Sequence, residues 1–119
     1  MRDVELDDLL SGSQQELRRG TLVLACLLLL RRPGYGYALL DELRELGFVT
    51  DANTLYPLLR RLESRGVLSS EWNTDESRPR KFYRTNRQGE QLAAELMTAW
   101  KQLDAAVRGL DRALEGDTR

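Results

Sequence analysis

The stretch NTLYPLLRRLESRGVL, residues 53–68, carries the pattern that decides the fold. At about 100° per residue, its leucines fall on one helix face that we predict is buried: Leu55, Leu58, Leu59 and Leu62. The opposite face is polar and aromatic, with Arg61 beside it: Asn53, Tyr56, Arg60 and Ser64. Pro57 lacks an N–H and is tolerated near a helix start, so we predict a helix from about Ala52 to Gly66.

Two helices are predicted upstream of this one. The first runs from a capping box at Ser13 and Glu16 through the apolar run TLVLACLLLL to about Arg32, and should be central and buried. The second covers roughly residues 37–46 and ends before Gly47, with one leucine face: Leu39, Leu40, Leu43 and Leu46. Residues 3–10 are expected to form a separate acidic helix, because the run Ser-Gly-Ser that follows favours a break.

Downstream, the pattern changes to two short β-like runs, residues 67–73 and 80–85, joined by a polar link. This predicts a hairpin with a charged tip. The run Thr-Asn-Arg-Gln at 85–88 is a second capping-box pattern, which opens a last helix over about residues 86–114. That helix carries apolar residues at alternating spacings of three and four, typical of a coiled-coil seam: Ala93, Leu96, Trp100, Leu103, Val107, Leu110 and Leu114.

The charge distribution indicates one basic region in a chain of net charge −1. Residues 1–16 carry one base and five acids, and residues 88–119 carry four bases and six acids. Residues 60–87, by contrast, carry eight bases and four acids, a local net charge of +4. This segment covers the end of the third helix and the hairpin, and it would attract a polyanion such as DNA.

Residue types on which many enzymes depend are missing or isolated. The chain has no histidine and a single cysteine, Cys26, which excludes His-assisted nucleophiles, His-ligated zinc and an internal disulfide. We expect Cys26 to be an inert buried residue, with a redox sensor as the alternative. The apolar run at 21–30 has about half the length that crosses a bilayer. We therefore expect a cytoplasmic, non-enzymatic domain without cofactor, metal or membrane partner.

The element order of three helices, a hairpin and a long helix predicts a mainly α fold with a small β-hairpin, a winged helix-turn-helix plus a dimerisation helix. The third helix suits the major groove. Asn53 can hydrogen-bond an adenine edge, and Thr54 suits a phosphate or a thymine methyl. Tyr56 and Arg60 can reach a phosphate or a base. In the hairpin, three basic residues can lie along the neighbouring backbone or minor groove: Arg78, Arg80 and Lys81.

Each of these features has a second interpretation. An exposed arginine can simply be solvated, and the seam of the last helix can pack inside the monomer. We favour DNA and a second chain because the basic clusters flank the helix-turn-helix and a helix of about 28 residues would project from a closed core. The competing function is a winged-helix module that binds protein without specific DNA binding, which the acidic N-terminal segment and the acid-rich last helix keep open.

The stretch at 53–68 resembles the recognition-helix signature of PadR-type transcriptional regulators, T-L-Y-P-x-L-x-R-L-E-x-x-G. Three further elements are similar to that family: Gly-Tyr-Gly-Tyr at 34–37, Trp72 at the end of the first wing strand, and RPRKFYRTNRQG at 78–89. The resemblance spans about residues 14–115 and departs at Asn53, where many members have glycine. It implies a winged helix-turn-helix with a dimerising C-terminal helix, and repression that small molecules relieve in some members.

Carried onto this chain, the resemblance implies that a homodimer contacts double-stranded DNA through Tyr37, Asn53, Thr54, Tyr56, Arg60, Arg61, Arg78, Arg80 and Lys81. We assign residues 1–12 to an acidic arm, 13–85 to the DNA-binding domain and 86–115 to the dimerisation helix, whose interface is Leu96, Trp100, Leu103, Val107, Leu110 and Leu114. Two symmetric copies imply an inverted-repeat operator with half-sites about one helical turn apart. Two facing Trp100 side chains would form a slot for a flat aromatic or lipophilic effector, unless they only fill the interface.

Overall fold

The computed structural model describes residues 3–75 and 77–117, and over these ranges it contains four helices and three short strands. In chain order they are α1 Val4–Leu29, β1 Gly34–Tyr35, α2 Gly36–Glu45, α3 Ala52–Ser64, β2 Leu68–Asn73, β3 Arg80–Thr85 and α4 Arg87–Asp117. The predicted fold class, a winged helix-turn-helix followed by a long helix, is confirmed. Within these ranges no helix combines the length and the apolar character needed to cross a membrane.

A leucine-rich core holds the first three helices together. Each contributes a fully buried side chain, Leu27 from α1, Leu43 from α2 and Leu59 from α3. All the leucines of the predicted α3 face are buried, as expected, and the sheet and α4 complete the core with Leu68, Tyr83 and Ala93. Burying one such leucine contributes about 1.5–3 kcal/mol, so this core sets how the helices are arranged around α3.

Cys26 belongs to the same core and has no exposed surface. Burial raises the pKa of its thiol to about 12. The thiol is therefore protonated at neutral pH, and only the thiolate is strongly nucleophilic. This agrees with the inert role expected from the sequence. Over the part of the chain that the structure describes, no cluster of acidic residues and cysteine is arranged to hold a metal ion.

The wing is a three-stranded sheet, one strand more than the sequence pattern indicates. β3 lies between β2 and β1, and both neighbours run antiparallel to it. In β1, Gly34 pairs with Tyr83 and Tyr35 pairs with Phe82. Two residues are too few to show alternation, so periodicity could not reveal this strand. β1 joins the end of α1 and the start of α2 to the wing.

The break predicted at residues 11–13 is wrong. α1 passes through these residues as one continuous helix, and its N-cap is Asp3, whose carboxylate accepts from the Glu5 N–H at 3.1 Å. Ser13 therefore lies inside the helix and starts nothing. A glycine inside a helix costs only about 1 kcal/mol relative to alanine, and the helix-forming residues on both sides of Gly12 are sufficient to continue the helix.

Two predicted helix ends also differ from the structure. α1 ends at Leu29, three residues before Arg32. Leu46, predicted to belong to the buried face of α2, is its C-cap and is 60% exposed. Gly47, with φ of +98°, turns the chain directly after it, as the sequence predicts. The turn carries Leu46 away from the leucines that precede it in α2.

α4 is capped by Asn86 and not by the predicted box of Thr85 and Gln88. The Asn86 Oδ1 accepts from the Gly89 N–H at 2.9 Å. The Thr85 hydroxyl instead donates to the buried Leu27 carbonyl at 2.7 Å. Asparagine and threonine are both good caps. Here the Thr85 hydroxyl is engaged by the Leu27 carbonyl of α1, so Asn86 caps the helix. The end of the wing is thereby tied to the core.

Only the first turns of α4 pack on the core of its own chain. Ala93 is fully buried and Leu96 is half-buried against it. The rest of the predicted seam is exposed: Trp100, Leu103, Val107, Leu110 and Leu114. The chain extends 66 Å along its longest axis. Most of α4 therefore presents an apolar stripe that no other part of the described chain covers.

Candidate nucleic-acid interface

The turn between α2 and α3 determines where α3 begins. The Asp51 carboxylate caps α3, with Oδ1 accepting from the Thr54 N–H at 2.9 Å. Arg44 Nε on α2 donates to the Thr50 carbonyl at 3.2 Å. Residues 46–51 thus join two packed helices in a helix-turn-helix arrangement. The start of α3 is fixed to α2 by these hydrogen bonds.

The side of α3 away from the core carries the residues predicted to contact DNA. Four of them are exposed: Asn53, Thr54, Arg60 and Arg61. Tyr56 differs from the expectation, because it is half-buried and its ring lies against Gly36. A Cβ on Gly36 would overlap that ring, so glycine at this position is what lets α2 and α3 approach. Tyr56 is thus held in one position rather than projecting freely from the helix.

A groove of about 600 Å³ runs between the wing and the starts of α2 and α3, and we call it the wing groove. The rings of Tyr35 and Tyr37 stack with their centroids 5.7 Å apart, and the Arg80 guanidinium lies 4.9 Å from the Tyr37 centroid. The Tyr35 hydroxyl accepts from Asn73 Nδ2 at 2.6 Å. Other lining residues include Tyr56, Trp72, Arg78 and Lys81. Phenol hydroxyls and guanidinium groups are suited to phosphate oxygens.

Lys81 is tied to α3 by an ion pair. Its Nζ lies 2.9 Å from Glu63 Oε1 on α3, and the Ser70 hydroxyl donates to the same carboxylate. The hydrogen bonds from Ser70 and Lys81 hold the pKa of Glu63 below its ordinary value, and the bond to Glu63 raises the pKa of Lys81. Lys81 is half-buried, whereas Arg78 and Arg80 are exposed. The cluster ties the wing to the end of α3 and offsets the charge of Lys81.

A second groove, of about 560 Å³, lies between α1 and α3, and we call it the α1 groove. Residues of α1 and of the α2–α3 turn line it together with Asn53, Thr54 and Arg61. The predicted DNA contacts therefore divide between two grooves on α3, and Arg60 lines neither. The basic residues of α1 at this groove, Arg18 and Arg19, were missed by sequence reasoning. A helical pattern shows the faces of one helix but not which other helix adjoins them.

Comparison with known proteins identifies the family. The PadR-like family of transcriptional regulators matches residues 23–95. The chain is 36% identical over 75 residues to the transcriptional regulator Rv3488 of Mycobacterium tuberculosis, covering 63% of this chain and 70% of that protein.

Solved structures agree with this match. A PadR family transcriptional regulator from Eggerthella lenta is 48% identical with a TM-score of 0.84, over 91% of this chain and 96% of that one. A Streptococcus transcriptional regulator is 30% identical with a TM-score of 0.72, over 80% and 96% of the two chains. The family match contains α2, α3 and all three strands, so the chain belongs to the PadR-like family of transcriptional regulators, which bind DNA and are not enzymes.

Proposed function

We propose that this regulator is a repressor that binds a specific inverted-repeat operator as a dimer. The observation that carries the proposal is the exposed face of α3, where Asn53 and Arg60 stand beside two grooves lined by arginines. The major groove is about 12 Å wide and admits one helix. The similar proteins named above are bacterial, and bacterial DNA lies in the cytoplasm, so that is the proposed location.

Base recognition falls to the exposed side chains of α3. Asn53, in its first turn, pairs with an adenine edge, and Arg60 with a guanine edge or a phosphate. Thr54 and Arg61 lie to one side of Arg60 and reach the backbone or a thymine methyl. In this proposal these four residues account for sequence preference and for much of the affinity.

Backbone contacts come from the wing groove. Tyr37 and Tyr56 offer their hydroxyls to phosphates from fixed positions, because the first stacks on Tyr35 and the second lies against Gly36. Arg78 and Arg80 add positive charge at the wing. Glu63 competes with a phosphate for the ammonium group of Lys81, which reduces what Lys81 contributes.

Dimerisation uses the seam of α4 from the half-buried Leu96 through the exposed residues up to Leu114. Alternating spacings of three and four over about three heptads suit knobs-into-holes packing with a second helix. A two-fold axis between the copies presents two α3 helices to successive major-groove faces, about 34–36 Å apart. An inverted-repeat operator follows from that symmetry.

The same dimer offers an effector site at Trp100. The side chain is 44% exposed and lies where the seam leaves the core of the chain. Two copies across the dimer axis would flank a flat aromatic or lipophilic molecule. With Trp72→Phe in place, only Trp100 reports, and its fluorescence should be quenched by some members of a panel of planar aromatics. A uniformly unchanged signal would remove the effector from the proposal.

The deciding experiment is fluorescence anisotropy on DNA from just upstream of the protein's own gene, with excess non-specific competitor. If about eight phosphates are neutralised, the log–log slope of affinity against salt should be near −7. Arg60→Ala should weaken specific binding by about 1–3 kcal/mol if Arg60 reads a base. Arg112→Ala, an exposed arginine on α4, is the matched control and should bind as wild type.

The second candidate is a winged-helix module for a protein partner. The exposed, acidic N-terminal half of α1 favours it, since Glu5, Asp7 and Asp8 lie there on one exposed turn. Equal binding to every DNA, combined with a stable protein complex in pull-down experiments, would support this candidate. Retention of the operator against competitor would exclude it as the main function.

A further inference from the structure

We propose that the α1 groove is a second DNA-backbone site, in which Arg18 and Arg61 hold a phosphate of the strand that the same subunit's wing does not contact in that half-site. The inference rests on the proposed DNA binding and extends it to α1, which carries none of the contacts assigned above. Three observations support it: the position of the groove on α3, the charges that line it, and its apolar floor.

The first observation is geometric. On α3, at about 100° per residue, Arg61 lies to one side of Arg60 and Tyr56 lies to the other. Tyr56 lines the wing groove, whereas Arg61 and Thr54 line the α1 groove. The exposed face of α3 therefore runs between the two grooves.

The two grooves beside α3 match the two phosphate backbones that border the major groove of duplex DNA. A helix in the major groove has one phosphate backbone on each side of it. If the wing groove contacts one phosphate backbone, the α1 groove lies next to the second phosphate backbone. In helix-turn-helix proteins the first helix of the motif, which is α2 here, crosses the backbone. We propose that α1 adds its own side chains beside α3.

The second observation is the charge available at the groove. Three arginines line it: Arg18, Arg19 and Arg61. Arg19 is partly committed, since its guanidinium lies 3.2 Å from Glu16. Among the described residues, no ion pair engages Arg18 or Arg61. The carboxylate at the groove, Asp51, is occupied as the cap of α3.

The third observation is the floor of the groove, which is apolar. Leu22, Phe48 and Leu58 line it, the two leucines buried and Phe48 half-buried. Apolar side chains support the aliphatic stems of arginine while the guanidinium groups stay at the surface. Arg18 is accordingly half-buried and Arg61 exposed. A guanidinium group can donate two parallel hydrogen bonds to one phosphate, and Gln15 at the same groove adds an amide donor.

The test compares Arg18→Gln with Arg112→Gln, which removes the same charge from an exposed site on α4. Anisotropy is measured over a salt series on the operator and on unrelated DNA. A lost phosphate contact in each of two subunits should make the slope shallower by about 1.8 and weaken binding roughly tenfold or more near physiological salt. Because phosphate contacts carry no sequence information, the loss should be equal on both DNAs. Arg112→Gln should match wild type.

A neutral methylphosphonate, placed singly along each strand of the operator, locates the contact. At one position in each half-site, on the strand that the wing of the bound subunit does not contact, it should weaken wild type but have no further effect on Arg18→Gln. A wild-type slope in Arg18→Gln would overturn the inference, and so would a loss confined to the operator. An affinity for acidic peptides that Arg18→Gln abolishes, with DNA binding intact, would assign the groove to a protein instead. Failure of wild type to prefer any operator would reject the proposed function itself.

Discussion

The apolar faces of α3 and α4 are similar in sequence and opposite in environment. On α3, Leu55, Leu58, Leu59 and Leu62 are 0–5% exposed, whereas on α4 Trp100, Leu103, Val107 and Leu110 are 44–64% exposed. The face on α3 is about two turns long and is covered by α1, α2 and the sheet. The face on α4 continues past the end of that core. The face on α3 is buried within its own chain, whereas the face on α4 is available to a second surface.

This difference separates two kinds of stability. Removing a leucine from α3 leaves a cavity inside one chain, so the loss cannot depend on protein concentration. In the proposed dimer, removing one from α4 would change only what the second copy contacts, so the loss would depend on protein concentration through mass action. Concentration dependence therefore distinguishes the two faces more sharply than the size of either effect.

Leu59→Ala should have the largest effect on folding. Leu59 has no exposed surface, and truncating a buried leucine costs about 2–5 kcal/mol of the free energy of unfolding. Denaturant unfolding followed by circular dichroism should show this loss equally at low and high protein concentration. Leu46→Ala, at a position 60% exposed on the same motif, is the control and should change little. A Leu59→Ala loss that shrank as protein concentration rose would contradict the comparison.

Leu103→Ala tests the other face. In the proposed dimer it removes two symmetric contacts, and a loss of about 1.4 kcal/mol from each would raise the dissociation constant about 100-fold. Sedimentation equilibrium should show that shift, while unfolding of the monomer at high dilution stays as in wild type, because Leu103 is 64% exposed there. A monomer as unstable as Leu59→Ala, with unchanged dimerisation, would place Leu103 in the monomer core.

Gly89→Ala tests the point where α4 is anchored to the wing. A Cβ on Gly89 would overlap the backbone carbonyl of Val67, which has little freedom to move. Overpacking of this kind costs about 1–3 kcal/mol of the free energy of unfolding. Gly109→Ala is the matched control in the same helix, because a Cβ there meets nothing within 4 Å. It should stabilise by about 0.5–1 kcal/mol. Equal effects of the two substitutions on the free energy of unfolding would mean that the Val67 backbone can move away from a Cβ at position 89.

Periodicity identified both faces from the sequence alone, because burial within a helix repeats every three to four residues. It could not show that the apolar face of α3 is buried and that of α4 is exposed, since burial depends on where α4 leaves the core. It misplaced the cap of α4 because Thr85 and Asn86 are both capable caps, and only the nearby Leu27 carbonyl decides between them. It also missed β1, whose two residues are too few for a pattern.

The candidate site shows the same limit. Residue types on α3 and in the wing predicted a DNA-binding surface, and family membership supports that class of function. The sequence could not show that Glu63 pairs with Lys81, because 18 residues separate them along the chain. Nor could it show that Arg18 and Arg61 share a groove, since each lies on a different helix. Contacts between elements depend on the packed fold and not on local pattern.

The smallest expected effect is that of Glu63→Gln, which probes the link between α3 and the wing. The pKa of Glu63 is lowered by the Ser70 hydrogen bond and then by Lys81. A carboxylate whose folded pKa lies below its unfolded value of about 4.3 stabilises the protein above that pH, and the contribution is lost as pH falls through the folded pKa. With 31% of its side chain exposed, Glu63 should contribute no more than about 1 kcal/mol.

The pH profile distinguishes an ion pair from a change in packing. Wild type should be more stable than Glu63→Gln at neutral pH, and the difference should vanish in acid as Glu63 is protonated. At high pH it should also narrow, because Glu63 raises the pKa of Lys81 and that contribution is lost as pH rises through the folded value. Glu71→Gln, on an exposed position of β2, is the control and should follow wild type throughout. A pH-independent difference in stability between wild type and Glu63→Gln would mean that side-chain packing, and not the ion pair, links α3 to the wing.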